Sequence, residues 1–173
     1  GVRVGMLLCS PAGNDLPFDE SLCEQGRNFS NKIWNAFRLI KGWEVAESEQ
    51  AESAKQAIEW FDSKINKVIV EIDESYNKYR ISEALMSTYK LVWDDFCSWY
   101  LELIKPSYGS PIDRITYTKT IAHLEKILKL LHPFMPFLSE EIWHLIGDRK
   151  EDIIISDWPK SGTINESLLN DFE

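Results

Sequence analysis

The sequence predicts an all-α protein in which four to five main helices form an antiparallel bundle. Two observations predict this fold class. Apolar side chains recur every three or four residues along almost the whole chain, which is the period of a helix with one buried face. Glycines and prolines separate the periodic segments into helices joined by short connections, and a chain of 173 residues is long enough to bury one core.

The first long helix is predicted to begin at a cap on Asp19 or Ser21 and to end near Trp43. A rotation of about 100° per residue brings six apolar or small positions together on one side of this helix. This predicted core face consists of Leu22, Gly26, Phe29, Ile33, Phe37 and Ile40. The acidic residues 44–52 then predict a surface connection.

Two further long helices follow. The first starts near Ser53, and its predicted inward side chains are Ile58, Phe61, Ile65, Val68 and Ile72. The second spans 81–104, and its predicted inward side chains are Leu85, Tyr89, Val92, Phe96, Trp99 and Leu103, with Met86, Trp93 and Tyr100 widening the same stripe. The width of this stripe predicts that the second helix is central to the bundle.

The last third of the chain contains its own start and stop signals. Ser110 as a cap and Pro111 at the first helical position predict a helix that ends near Leu131. Two prolines interrupt the pattern before it resumes as a short helix over 137–146. The three isoleucines at 153–155 predict a short extended segment, because β-branched residues favour strands.

Composition and motifs argue against an enzyme. The chain carries a formal charge of -9 and lacks a membrane-spanning apolar run. Cys9, Cys23 and Cys97 show no paired spacing, which indicates reduced core thiols and a cytoplasmic protein. No nucleotide-binding or nucleophile motif occurs, and we found no histidine at metal-ligand spacing. The sequence therefore predicts no catalytic residue, no metal and no cofactor in this chain.

One stretch departs from the acidic character of the chain. Residues 27–43 read RNFSNKIWNAFRLIKGW, with four basic residues and no acid. The helix side opposite the core face collects Arg27, Asn28, Asn31, Trp34, Asn35 and Arg38, with Lys32 and Leu39 at its border. Cations, amides and aromatic rings together are typical of single-stranded RNA recognition, in which they neutralise phosphates, read base edges and stack. An alternative is a protein-interaction scaffold, in which Trp34 and Leu39 form the main contact with a partner.

Three segments resemble the anticodon-binding domains of valyl-tRNA synthetases, which are class I aminoacyl-tRNA synthetases. They read GRNFSNKIWNAFR (26–38), VWDDFCSWYLELIKP (92–106) and LLHPFMPFLSEEIWHLI (130–146). The third is shared by the valine, isoleucine, leucine and methionine enzymes, whereas the first two are closer to the valine enzyme. The equivalent domain of an isoleucyl- or leucyl-tRNA synthetase is therefore the nearest alternative.

The resemblance implies an exit helix and connector from a catalytic domain over 1–18, the anticodon-binding bundle over 19–147 and a C-terminal extension over 148–173. It implies that the chain binds the anticodon arm of tRNA for valine. Because the H-I-G-H and K-M-S-K-S signatures are absent, it also implies that the chain does not catalyse. The ligase activity, which uses ATP and Mg²⁺, would belong to the remainder of the parent synthetase. The resemblance implies no membrane partner.

The resemblance also implies which residues contact RNA. In the family, the helix that carries N-K-x-W-N-A meets the anticodon bases, which indicates Lys32, Asn35 and Arg38 in this chain. Arg27 and Asn31 lie next to them on the same predicted face. Relatives often have an aromatic residue where this chain has Leu39, so this position is predicted to offer an apolar surface in place of a stacking ring.

Overall fold

The structure is a computed structural model that describes residues 1–9 and 18–171, and it confirms the predicted mostly helical fold. The helices in chain order are α1 (Val2–Leu8), α2 (Glu20–Lys41), α3 (Glu52–Asn77), α4 (Ile81–Lys90), a π-helix (Leu91–Tyr100), α5 (Leu101–Ile104), α6 (Arg114–Leu131), α7 (Pro136–Ile146), a 3-10 turn (Ile153–Ile155) and α8 (Glu166–Asp171). Most of the predicted connector that follows α1 lies outside the described residues. None of the described helices is both long and apolar enough to span a membrane.

Helix α2 forms where the sequence predicts it. The side chain of Asp19 accepts a hydrogen bond from the backbone N–H of Ser21 at 2.8 Å, which satisfies one of the free donors at the helix start. The helix ends before Gly42. Five of the six predicted core positions are buried, and Leu22 is half-buried near the N-terminal end.

The centre of the bundle is an aromatic cluster between α3, the π-helix and α6. The ring of Phe61 in α3 stacks on Tyr100 at 4.8 Å between centroids and lies 5.4 Å from Phe96. His123 of α6 meets the edges of both Phe61 and Tyr100. The predicted inward stripe of α3 is fully confirmed, since all five of its apolar residues are buried.

The π-helix changes which residues of the third long helical segment face inward. We predicted Trp99 and Leu103 to be inward, but they are 57% and 42% exposed. Met86 is exposed as well, although we placed it at the edge of the stripe. A π-helix bonds each residue to the fifth one along, and this wider turn shifts the later residues around the axis. Tyr100 and Ile104 take the buried positions in their place.

The start of α6 also differs from the prediction. Asp113, and not Ser110, is the capping residue, and its carboxylate accepts from the N–H of Thr116 at 2.8 Å. The preceding residues are extended, because β2 (Ile112–Asp113) pairs in parallel with β1 (Val45–Ala46). Pro111 therefore precedes a short strand. The helix begins at Arg114, three residues later than we predicted from Pro111.

Helix α1 packs against α2 at very short range. A side chain at Gly5 would place its Cβ 2.7 Å from the backbone nitrogen of Cys23, and one at Gly26 would lie 2.5 Å from the carbonyl oxygen of Gly1. The two helices therefore approach through residues that lack a Cβ. Val4 and Cys9 are buried in the same contact region, and Arg3 donates to the carbonyl oxygen of Pro133 at 2.8 Å.

The segment after α7 lies along α3. Trp158 donates its indole N–H to Asp73 at 2.9 Å, and Asn66 donates to the carbonyl oxygen of Thr163 at 3.0 Å. Leu169 of α8 is buried. The isoleucines at 153–155 form a 3-10 turn and not the predicted extended segment. Ile153 is buried there, whereas Ile154 and Ile155 are exposed, so the turn buries one of the three side chains.

The three cysteines are free thiols, as predicted. Cys9 and Cys97 are buried, and Cys23 is half-buried in the contact between α1 and α2. Burial raises the pKa of the Cys97 thiol to about 12, so this thiol stays neutral at physiological pH.

The pair of buried His123 and half-buried Asp62 makes stability depend on pH. His123 is 1% exposed, and its Nε2 lies 2.9 Å from the carboxylate of Asp62. Burial lowers the pKa of His123, although Asp62 favours its protonation. Burial opposes ionisation of Asp62 as well, but the hydrogen bond to His123 and the charges of nearby lysines keep its pKa below the usual value. Both groups therefore bind protons more readily in the unfolded chain.

We expect the free energy of unfolding to fall as the pH drops from about 6.5 towards the lowered pKa of His123. One proton contributes a slope of up to about 1.4 kcal/mol per pH unit. Urea denaturation at pH 7.5 and pH 5.5 measures this loss, and His123→Gln should reduce it because glutamine does not titrate. An equal loss in both proteins would contradict the assignment, since the two share every other histidine.

Candidate nucleic-acid interface

The outward side of α2 presents a polar surface that we call the α2 face. It consists of the exposed residues Arg27, Asn28, Asn31, Asn35, Arg38 and Leu39. Five of the six residues predicted to contact RNA therefore lie on one exposed surface. Lys32, the sixth, is half-buried at its edge. The burial of the opposite side of the same helix positions this face, because rotation about the helix axis would expose Phe29, Ile33 and Phe37.

Lys32 is fixed at the border between α2 and the π-helix. Its ammonium nitrogen lies 5.2 Å from the ring centroid of Trp93, a cation–π contact. Phe29 and Tyr89 extend the same aromatic group, with centroids 4.6 Å apart. The aromatic rings therefore limit the conformations of Lys32 and leave its charge beside the α2 face.

Arg27 is less available than the acid-free stretch suggests. Its guanidinium forms an ion pair with Glu24 at 3.1 Å, one helical turn earlier. Both side chains are about two-thirds exposed, and such surface pairs contribute roughly 0–1 kcal/mol. A phosphate could displace Glu24 at small cost, but at the N-terminal end the α2 face is not free of acid.

The central residues of the α2 face have free hydrogen-bonding groups. Within the described ranges, the side chains of Asn31, Asn35 and Arg38 make no hydrogen bond and no ion pair with other protein groups. An asparagine amide both donates and accepts, and a guanidinium donates two parallel N–H bonds to a phosphate or a base edge. The structure brings these groups together on a rigid helix without using them internally.

Trp34 packs against the core and contributes only part of its ring to the α2 face. Its ring is half-buried and lies 5.4 Å from the ring of Phe37, tilted by 52°. Packing against a core phenylalanine leaves only part of the indole available to a ligand. The scaffold alternative needs Trp34 as an exposed anchor, and this packing weakens that alternative.

The α2 face continues into a cleft that the sequence analysis missed. Leu39 and Trp43 form one side, and the loop 105–110 forms the other, around a volume of about 350 Å³. Tyr108 in this loop is fully exposed, and Gly109 has a φ of 76°, which favours glycine. Tyr108 thus provides an aromatic ring across the cleft from Leu39. The Pro-Ser-Tyr-Gly sequence after a helix could have predicted an exposed turn with an aromatic ring. The sequence could not predict that the fold places this turn beside α2.

A second, larger cleft has mixed charge. Its volume is about 510 Å³, and it lies between α3 and the helical segment that follows it. Three lysines line it together with three acids, namely Lys64, Lys67, Lys90, Glu71, Asp94 and Asp95. This balance of charge is poorly suited to a polyanion, unlike the α2 face.

His132 and His144, the two histidines other than His123, have different surroundings. His132 lies 2.8 Å from the hydroxyl of Ser139, as expected for a packing histidine. His144 lies between the carboxylates of Glu140 and Asp152, so our statement that no histidine stands at metal-ligand spacing was wrong. Burial works against protonation of His144, but Asp152 and Glu140 raise its pKa above the usual value.

Comparison with known proteins identifies the family. Residues 59–173 match the model of the anticodon-binding domain of tRNA ligase. The chain is 60% identical to a valine–tRNA ligase of Christiangramia forsetii over 99% of its length and 57% identical to one of Phocaeicola vulgatus over 100%. A valine–tRNA ligase of Zymomonas mobilis is 37% identical over 99% of the chain.

These comparisons concern one part of longer proteins. The chain spans about a fifth of the length of the relatives, with 20% of the C. forsetii and P. vulgatus proteins and 21% of the Z. mobilis protein covered. The α2 face precedes the segment that the family model matches, but it lies within the alignments to these relatives. The helical fold, the family match and the full-chain similarity together show that this chain belongs to the anticodon-binding domain family of tRNA ligases.

Proposed function

We propose that the chain is the part of a valine–tRNA ligase that binds the anticodon arm of tRNA for valine, and that the α2 face is its contact surface. The observation that carries the proposal is the α2 face itself, where unpaired amides and a guanidinium project from a packed helix in a protein of net charge -9. Arg38 forms no ion pair with any described residue, so its neutralisation requires an external negative charge. An RNA loop supplies that charge.

The chemistry divides between the residues of this surface. Arg38 and Lys32 would neutralise phosphates or donate to base acceptors, and Asn35 would read a base edge. Asn31 and Arg27 would extend the contact towards the helix start. At the other end, Leu39 would offer an apolar surface to a base in the cleft. The rigid helix reduces the entropy lost on binding, because the side chains are already held on one surface.

The whole parent protein would then perform the reaction elsewhere. In this proposal the chain holds the tRNA without catalysing, and the remainder of the synthetase, using ATP and Mg²⁺, attaches valine in the cytoplasm. Isoleucine and leucine enzymes are the nearest alternatives, and the high identity to valine–tRNA ligases over the whole chain favours valine. Because only a fifth of such a protein is present, we expect weak binding by the isolated chain, with a Kd on the order of 10 µM or higher.

A fluorescence titration with anticodon stem-loop RNAs tests the proposal. Stem-loops with valine, isoleucine and leucine anticodons and a scrambled loop would be titrated at two salt concentrations. Arg38→Ala should weaken binding of every loop about tenfold, because a lost charged hydrogen bond costs roughly 1–2 kcal/mol. Asn35→Ala should weaken the valine loop most, because an amide that reads a base edge acts on specificity. Raising the salt should weaken binding log-linearly.

A matched pair of variants controls for general effects. Asn77, the last residue of α3, and Arg80, which precedes α4, have the same three-residue spacing, are exposed and lie outside the α2 face. Asn77→Ala and Arg80→Ala should leave binding unchanged. Equal affinity for all loops, with the α2 variants behaving like the controls, would exclude this surface as the anticodon site. Salt-independent binding of a protein partner would favour the scaffold alternative.

A further inference from the structure

A group of three potential metal ligands lies on α7 and in the segment that follows it. The Nε2 of His144 is 3.0 Å from a carboxylate oxygen of Glu140 and 3.2 Å from one of Asp152. One ligand atom from each residue lies within 4.8 Å of the other two. Glu140 and His144 are four residues apart on α7 and share one helix side, whereas Asp152 comes from the segment after the helix.

The spacing of these atoms matches a small divalent cation. Zn²⁺ binds histidine nitrogen and carboxylate oxygen at about 2.0–2.2 Å, so neighbouring ligand atoms in a tetrahedral site are about 3.3–3.4 Å apart. The observed 3.0 and 3.2 Å need only a small outward movement. Three protein ligands would leave the fourth position to water. The side chains are 28%, 38% and 67% exposed for Glu140, His144 and Asp152, so an ion could enter from solvent.

The segment that carries Asp152 is already held on α7. Trp143 donates its indole N–H to the carbonyl oxygen of Glu151 at 3.1 Å, and the N–H of Ile153 donates to Glu140 at 3.1 Å. These bonds flank Asp152 on both sides. Arg149 in the same segment is directed away, since its guanidinium lies 3.7 Å over the ring of Trp143 and pairs with Glu125. The two carboxylates therefore have no lysine or arginine partner in the described structure that would compete with a metal ion.

We propose that Glu140, His144 and Asp152 form a binding site for a divalent transition metal, with Zn²⁺ as the best fit. An imidazole ligand favours Zn²⁺, Co²⁺ or Ni²⁺ over Mg²⁺ and Ca²⁺, which prefer oxygen ligands. The bound ion ties the segment 148–155 to α7 and thereby stabilises the C-terminal part of the fold. None of the three ligands belongs to the α2 face.

Titration of the metal-free chain with Zn²⁺ in a calorimeter tests this site. We expect saturable binding of one ion per chain with a Kd below about 100 µM, and a rise in the thermal midpoint, because the ion binds only the folded state. Co²⁺ in its place should give the visible absorption of a low-symmetry site. His144→Ala and Asp152→Asn should each weaken binding at least tenfold, and Mg²⁺ should give no comparable effect.

Glu141→Gln is the matched control. This acid is the neighbour of Glu140 on α7, is exposed and lies outside the cluster, so its neutralisation should leave Zn²⁺ affinity unchanged. Circular dichroism confirms that each variant is folded. The proposal is overturned if no saturable binding occurs up to about 100 µM, or if His144→Ala binds Zn²⁺ as tightly as the original chain, which would place the ion elsewhere.

Discussion

Phe61→Ala is expected to lower the free energy of unfolding by about 4 kcal/mol, because the substitution removes a whole ring from the centre of the core. Phe61 is 0% exposed, and its ring contacts Phe96, Tyr100 and His123 from three directions. These rings belong to the π-helix and α6, so the surroundings cannot collapse into the cavity without moving whole helices. Urea denaturation at 25 °C, followed by circular dichroism, measures the loss.

The control for this variant is Phe137→Ala. It deletes the same atoms at a position that is 91% exposed, so the free energy of unfolding should change by less than about 0.5 kcal/mol. Similar effects of the two substitutions would mean that the cluster around Phe61 is not the centre of the core. A small effect of Phe61→Ala alone would mean that α3 and the π-helix repack.

The aromatic core also explains why the α2 face is rigid. The π-helix contacts Phe61 on one side and α2 on the other, where Trp93 meets both Phe29 and Lys32. A substitution in this core therefore affects more than stability. We infer that the position of Lys32 relative to the other α2 residues depends on the same helix.

Local signals predicted helix α2 and its exposed side, except that Trp34 is half-buried. The cap at Asp19, the 3.6-residue period and the missing acids all lie within a few turns of one helix, and no other part of the chain is needed to interpret them. The same holds for α3 and for the helix break before α7. Where the position of a side chain depends on one helix alone, the sequence was sufficient to predict both the helix and its exposed side.

Features that depend on the rest of the fold were missed. Trp99 and Leu103 were placed by the α-helical period, which the wider turn of the π-helix does not follow. Tyr108 lies far along the chain from Leu39, and only the bundle brings them to one cleft. Asp152 likewise reaches His144 through the turn after α7. The cleft is a tertiary feature that no local window contains, whereas the ligand cluster depends on the turn that brings Asp152 back to α7.

Gly5→Ala is expected to lower the free energy of unfolding by about 3 kcal/mol, the upper end of the cost of overpacking. The new Cβ would lie 2.7 Å from the backbone nitrogen of Cys23 and 2.8 Å from the carbonyl carbon of Leu22. These atoms belong to the backbone of α2 and cannot rotate away as a side chain can. Helix α1 must therefore shift or undock, which exposes Val4 and breaks the hydrogen bond from Arg3. Urea denaturation measures the cost, and faster trypsin cleavage after Arg3 reports undocking.

Gly42→Ala separates the clash from the general effect of replacing a glycine. Gly42 follows α2 in a right-handed helical conformation, and the nearest atoms to a new Cβ are the carbonyl oxygens of Arg38 at 3.3 Å and Leu39 at 3.6 Å. This substitution should therefore change the free energy of unfolding by less than about 1 kcal/mol. If both variants are equally stable, α1 does not depend on contact with the α2 backbone. A loss of stability in Gly5→Ala alone, with its far-ultraviolet spectrum retained, would mean that the close approach of α1 holds the start of α2 in place. No side chain separates the backbones of the two helices at this position.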